Sequence, residues 1–201
     1  MSDPMLHPRF AFAGHLTAFG APSESAGVTV TPRNDLALAT VIARKGRMAA
    51  LSGQIQANFG IALPAGPKRL VAGKIAFIGM GPGQWLAVEE GSVDPQAFVS
   101  RLAEALAGSA SISDQSDARA VIRLSGPNAR RTLAKGLPVD LHPRAFSPGD
   151  AALTQIASIG AHLWQVDDAP TYEIAVFRSM AGSFADWLIA SGAEYGIAAM
   201  S

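Results

Sequence analysis

The chain contains no cysteine. That single absence excludes disulfides, thiolate nucleophiles and cysteine-held metal or iron–sulfur sites. Charge is also scarce: Asp, Glu, Lys and Arg make up 16% of the 201 residues and balance to a net charge of zero. General nucleic-acid binders carry a basic excess, so no nucleic-acid partner is expected. No run of about 18 uninterrupted apolar residues occurs, so no membrane span is expected. The opening "MSDPMLHPRFAFAGHL" has no basic region followed by an apolar core, so no export signal is read and a cytoplasmic location is expected.

Apolar residues, by contrast, are abundant. Hydrophobic residues reach 49% and the mean hydropathy is +0.22. Burial on this scale can offset the entropy of ordering, and apolar surface left over is expected to meet another protein. The balanced charge conceals an asymmetry. Residues 1 to 144 hold fifteen Lys and Arg against ten acids, whereas 145 to 201 hold only Arg178 against six. Such a dipolar chain could be steered onto a partner, or the asymmetry could be no more than a solvated surface.

Residues 1 to 27 read as an irregular arm with Pro4, Pro8 and Pro22. The arm nevertheless carries Leu6, Phe10, Phe12, Leu16 and Phe19, and burying each such side chain is worth about 1.5–3 kcal/mol. It is expected to lie along a groove, in this chain or a neighbour. Residues 28 to 201 read as one domain of two pseudo-repeats, about 28–114 and 115–201. In the first, "LALATVIARK" reads as a strand. The following helix, 46–59, has Met48, Leu51, Ile55 and Phe59 on one stripe. Then come "KIAFIGMGPGQWLAV" as two strands, a helix capped by Asp94 with Pro95 in its first turn, and the strand "ASIS". In the second, "ARAVIRL" alternates Ala120, Ile122 and Leu124 against Arg119, Val121 and Arg123. A helix burying Ala129, Leu133 and Leu137 follows, then a hairpin about Gly160, the strand "TYEIAVF", and a last helix burying Met180, Phe184, Trp187 and Leu188. The expected fold is α+β: two related βαββα halves of split-βαβ, ferredoxin-like plan, with antiparallel sheet.

Candidate chemistry is thin. The helix after Ser125-Gly126-Pro127 carries Arg130, Arg131 and Lys135, but a phosphate loop needs several glycine N–H groups, and Pro127 has none to give. Pro127 is instead expected at the first helical position, where it starts the helix. "GMGPG" at 79–83 runs into a second strand, so it reads as a hairpin turn and not a dinucleotide loop. Trp85 beside it could line a pocket or belong to the core. His7, His15, His142 and His162 fall at no ligand spacing, and Asp167-Asp168 sits in a turn signal. Arg119 and Arg123, with Arg130 and Arg131, either hold a carboxylate or acidic partner strip or are solvated charge. No catalytic, cofactor-binding or metal residue is therefore assigned. The candidate partner interface is Phe10, Phe12, Leu16, Phe19, Arg130 and Arg131.

Two segments carry a family resemblance. "GPGQWLAV", and the ordered stretch from "SISDQSDARAVIRLSGPNARRTLAKGLPVDLHPRAFSPG" through "LWQVDDAPTYEIAVFRSMAGSFADWL", resemble the gamma subunit family of heterotetrameric sarcosine oxidase. The likeness runs from about residue 28 to the end. That family resembles in turn the tetrahydrofolate-binding half of glycine-cleavage aminomethyltransferases, which implies the same two-halved α+β fold. No segment here matches their acidic folate-contacting residue, and their C-terminal barrel has no counterpart. The resemblance implies a small non-catalytic subunit beside alpha, beta and delta subunits, docked chiefly on alpha. It implies an enzyme that demethylates sarcosine oxidatively to glycine, with hydrogen peroxide and formaldehyde or methylenetetrahydrofolate as the other products. It also implies that FAD, FMN, NAD and tetrahydrofolate sit on the larger subunits and zinc on delta. The alternative is a stand-alone tetrahydrofolate-binding one-carbon protein.

Overall fold

A computed structural model describes residues 9–20, 25–92 and 94–200. The expectations for Leu6 and His7 lie outside these residues. The first half comprises β1 (Val28–Pro32), β2 (Leu36–Ala43), α1 (Met48–Phe59), β3 (Arg69–Ala72), β4 (Ile75–Gly81), β5 (Gln84–Glu90), α2 (Pro95–Ala105) and β6 (Ala110–Asp114). The second comprises β7 (Arg119–Ser125), α3 (Ala129–Ala134), β8 (Ala151–Ile156), β9 (Ile159–Asp167), β10 (Thr171–Phe177), α4 (Ala181–Gly192) and β11 (Ile197–Ala199). The fold is α+β.

The strands form two sheets, ordered β3-β4-β5-β2-β6 and β8-β9-β10-β7-β1-β11. The three-strand runs β4-β5-β2 and β9-β10-β7 correspond, and each sheet then adds the strand that follows its second helix. The sheets differ at that point. β6 pairs directly with β2, whereas β1 inserts between β7 and β11. The β1–β11 pair is parallel, a departure from the all-antiparallel expectation.

Alternation explains the layering. Ala37, Ala39 and Val41 face Leu51 and Ile55 of α1 and Phe98 and Leu102 of α2. Leu36 and Leu38 point the other way and meet Val121, Trp164 and Ala175 of the second sheet. Ala120, Ile122 and Leu124 pack under Leu133 of α3 and Phe184 and Leu188 of α4. The result is helices, sheet, sheet, helices, with three apolar layers between them. Central strands are buried on both faces, which is why "LALATV" and "IAFIG" read as apolar runs and not as strict alternation.

Several local expectations need correction. Met48 is 46% exposed, so the inward stripe of α1 is Leu51 and Ile55 with partly buried Phe59, which packs on Phe77. Met180 and Trp187 are only partly buried at the margin of the core. The hairpin turns at Ala157-Ser158, both with positive φ (48° and 69°), and Gly160 is an ordinary strand residue. β1, β3 and β11 add strands that the reading of periods passed over.

Candidate partner-docking surface

Residues 9–20 of the arm lie against their own chain. Phe12 is 3% exposed and joins the core beneath α4, with Leu16 partly buried against it. Phe19 exchanges two backbone hydrogen bonds with Ile197, at 3.0 and 2.7 Å, and so prolongs the sheet beyond β11. Phe10 and Phe19 remain 57% and 53% exposed. The arm residues of the candidate interface therefore divide: Phe12 anchors, Leu16 supports, and Phe10 and Phe19 are presented to solvent.

Ser125-Gly126-Pro127 resolves as a corner. Gly126 has φ +107°, and a Cβ there would lie 2.6 Å from the Gly27 carbonyl oxygen, so both conformation and space demand glycine. Ala129 N–H donates to Gly126 O at 3.0 Å, which makes Pro127 the second residue of a β-turn, and α3 begins two residues after it. The expectation of proline at the first helical position is thereby corrected. Asn128 N–H is taken by Gly27 O at 3.0 Å, so the amides of Asn128 and Ala129 are both spent on the chain itself. Arg130 is half-buried and donates to the Tyr172 hydroxyl at 2.9 Å. Burial pushes the Tyr172 pKa up, and Arg130 partly opposes this. Arg131 is exposed and approaches Asn128 Oδ1 at 3.5 Å. The two α3 arginines line neither cleft that the arm borders.

The register of β7 on β10 separates the other two arginines. Arg123 lies opposite Glu173, and four residues back Arg119 lies opposite Phe177. Glu173 is 1% exposed and accepts from Arg123 Nη2 at 2.7 Å, from Trp164 Nε1 at 2.9 Å, and from Arg33. Arg33, in the β1–β2 link, also meets Asp35 at 2.8 Å and Glu90 at 3.4 Å, and Glu90 continues to Arg69 at 3.1 Å. Burial alone would lower the Arg33 pKa, but its bond to Asp35 and the charges of Glu173, Asp35 and Glu90 hold it above the usual value. The same bond draws Asp35 below the ordinary carboxylate range, against its partial burial.

Among the described residues Arg119 meets no such partner. Its guanidinium carbon sits 4.1 Å from the Phe177 ring centroid, its buried Nε has no acceptor, and burial lowers its pKa. It borders a cleft of about 390 Å³ between the halves, together with Phe10 and Phe12 of the arm, Arg33, Leu38 of β2, and Arg178. A neighbouring apolar cleft of about 350 Å³ is bordered by Phe10, Phe12, Leu16, Pro32, Ala199 and Met200. Alternation in the sequence marks Arg119 and Arg123, whereas the roles of Arg33, Glu173 and Phe177 depend on strand register and carry no local signal.

The remaining candidates are structural. Trp85 is 3% exposed, and its Nε1 donates to Pro64 O at 3.0 Å. Asp167 Oδ1 accepts from the N–H groups of Ala169 and Thr171, closing its turn. His142 Nδ1 accepts from Arg144 N–H. His162 is 1% exposed and edge-on to Trp164 at 5.6 Å. Burial lowers its pKa to about 4; the Gly79 backbone opposes this and the Arg119 charge reinforces it. The Gly79 approach falls short of a hydrogen bond, since both ring nitrogens lack partners. Among the described residues no group of three His, Asp or Glu is placed to hold a metal, and no helix is long and apolar enough to cross a membrane.

Comparison with known proteins gives one consistent family. The "Sarcosine oxidase, gamma subunit family" model matches residues 45–194. A sarcosine oxidase subunit gamma from Arthrobacter sp. is 34% identical over 80% of this chain and 78% of its own length. The corresponding subunit of Corynebacterium sp. (strain P-1) is 33% identical over 91% and 89%. A chain of the heterotetrameric sarcosine oxidase of Corynebacterium sp. U-96 superposes with a TM-score of 0.80 at 26% identity, covering 96% of this chain and 99% of that one. The glycine cleavage system aminomethyltransferase T of Bartonella henselae shares the fold at 14% identity, with a TM-score of 0.63 over 87% of this chain and 48% of that one.

Proposed function

Because the chain belongs to the sarcosine oxidase gamma subunit family, we propose that it serves as the small non-catalytic subunit of a heterotetrameric sarcosine oxidase, docked chiefly on alpha. In this reading the complex oxidises the N-methyl group of sarcosine with oxygen. It releases glycine, hydrogen peroxide and either formaldehyde or, with tetrahydrofolate, methylenetetrahydrofolate. FAD, FMN, NAD and tetrahydrofolate belong to the larger subunits and zinc to delta.

One observation carries the reading: this chain superposes on 99% of a chain from the heterotetramer, so it has the extent as well as the fold of a component of that assembly. The site geometry supports it. The buried carboxylate Glu173 is spent on ion pairs with Arg33 and Arg123, and solvent-facing Phe10, Phe19, Phe177 and Met200 suit a covered interface. The same reading treats residues 28–201 as one domain of two pseudo-repeats with residues 1–27 as its arm, in keeping with the matching strand orders.

Co-expression with the candidate alpha, beta and delta subunits tests it. The chain is expected to co-purify in equal amount, to self-associate when expressed alone, and to show sarcosine oxidation only in the assembled complex. Oxidation of sarcosine by the isolated chain, a flavin absorbance band on it, or a monomer that ignores alpha would each defeat the proposal.

A further inference from the structure

Arg119 and Arg123 share one face of β7, yet only one is neutralised. Arg123 has the buried Glu173 opposite it; Arg119 has the Phe177 ring, and no hydrogen bond or ion pair among the described residues. A half-buried guanidinium without a carboxylate has lost part of its hydration with no direct compensation. A guanidinium over a phenyl face keeps its planar fork, and because Nε is buried, the two terminal nitrogens are the ones left for parallel bonds to a carboxylate. Arg119 borders the cleft between the halves, which is also lined by the exposed Phe10.

The neighbouring charges narrow the choice of occupant. Arg33 at the same cleft is already engaged by Asp35, Glu90 and Glu173. Arg178 donates to the Arg9 carbonyl and lies 3.9 Å from Asp117. Asp94, Asp114 and Asp117 border the cleft too, the first capping α2 through Ala97 N–H and the second holding Ser116 N–H. These carboxylates discourage a small diffusible anion, which would have to bind by charge alone. A carboxylate carried by a protein surface can draw on apolar contacts at Phe10 and half-exposed Phe177 as well.

We propose that the Arg119–Phe177 corner of this cleft is a docking socket for an acidic side chain of a partner subunit, seated beside an apolar contact on Phe10. The proposal rests on the assembly reading above and adds to it a site and a chemistry. On docking, the carboxylate replaces water at Arg119 and forms a forked ion pair, with Phe177 as the platform behind it.

The test uses the assembled complex, with this chain as wild type, Arg119→Gln, Arg119→Lys and Arg119→Glu, and reads the dissociation constant of this chain from its partners at several salt concentrations. Arg119→Gln is expected to weaken retention by about thirtyfold or more and to flatten the salt dependence, and Arg119→Glu to weaken it further. Arg119→Lys keeps the charge without the fork and should fall between. Should Arg119→Gln not fold, Arg119→Lys decides: a loss of about tenfold supports the socket, and unchanged affinity overturns it. Wild-type affinity in both Arg119→Gln and Arg119→Glu overturns it too. So does a small-anion site, seen as stabilisation of the isolated chain by acetate or succinate that Arg119→Gln abolishes while assembly is unaffected. A wild-type chain that never assembles defeats the subunit reading itself, which distinguishes that failure from this one.

Discussion

The five-stranded and six-stranded sheets each bury a tryptophan whose indole N–H needs an acceptor, and they supply different ones. Trp85 of β5 faces the helices and donates to a loop carbonyl, that of Pro64. Trp164 of β9 faces the other sheet and donates to the carboxylate of Glu173, which also receives two arginines. The first arrangement is local: a neutral acceptor 21 residues away. The second draws Arg33 from 140 residues away and Arg123 from 50. Elements of similar order thus produce one self-contained half and one half that collects the long-range charge of the chain. The same collection softens the dipole read from the sequence, because Asp150, Glu173 and Glu194 of the acidic segment pair with Lys68, Arg33 and Lys135 of the basic one.

The sharpest way to break this comparison is to remove its charged member. Glu173→Ala should cost about 3–5 kcal/mol in urea unfolding, because it strips the acceptor from Trp164 and Arg123 and leaves buried charge uncompensated. Arg33 retains Asp35 and Glu90, so a value above this range is not expected. The counterpart, Trp85→Phe, removes a neutral donor from one carbonyl and should cost about 1–3 kcal/mol. If Trp85→Phe proved as damaging as Glu173→Ala, the two halves would be held alike and the contrast would fail.

A pH scan sharpens it further. His162 lies in the second half and its folded pKa, about 4, is below the usual 6.5. Between those values the unfolded chain binds a proton that the folded chain does not. Stability should therefore fall as pH drops from about 6.5 to 4, by on the order of 3 kcal/mol from this residue. His162→Leu should flatten that part of the profile; an unchanged slope would show that His162 does not govern it. The smallest expected effect is at the corner: Pro127→Ala should change stability by roughly 1 kcal/mol or less, through chain entropy. A larger loss would mean that the β-turn at Gly126 depends on the proline ring.

The fold was largely legible because apolar runs and punctuation mark its central elements. Asp94 with Pro95 announces α2, and β10 spans the same residues as the run "TYEIAVF". What escaped has physical causes. β11 has three residues and takes its stability from pairing with β1, which no local pattern reveals. β1 did carry a signal, the β-branched alternation Val-Thr-Val-Thr, but its position beside the arm obscured it. The turn at Ala157-Ser158 has no Gly or Asn, so nearby Gly160 misdirected the reading. Of the candidate surface, alternation placed Arg119 and Arg123 on one face correctly. Which of them would meet a carboxylate depended on the β7–β10 register, and that is a property of the folded sheet.

The insertion of β1 between β7 and β11 has a consequence for a chain made from its N-terminus onward. The five-stranded sheet uses residues 36 to 114 and can close as soon as β6 has left the ribosome. The six-stranded sheet cannot, since β1 pairs with β11, which is made about 165 residues later. Through most of translation β1 waits with Phe12 of the arm, both apolar, with α4 and β11 still to come. Closing so long a loop is slow, and waiting apolar segments are exposed to wrong partners. Synthesis of β11 is therefore the step that sequesters the arm, and a nascent chain stalled before Ile197 should be the species most readily captured by a chaperone.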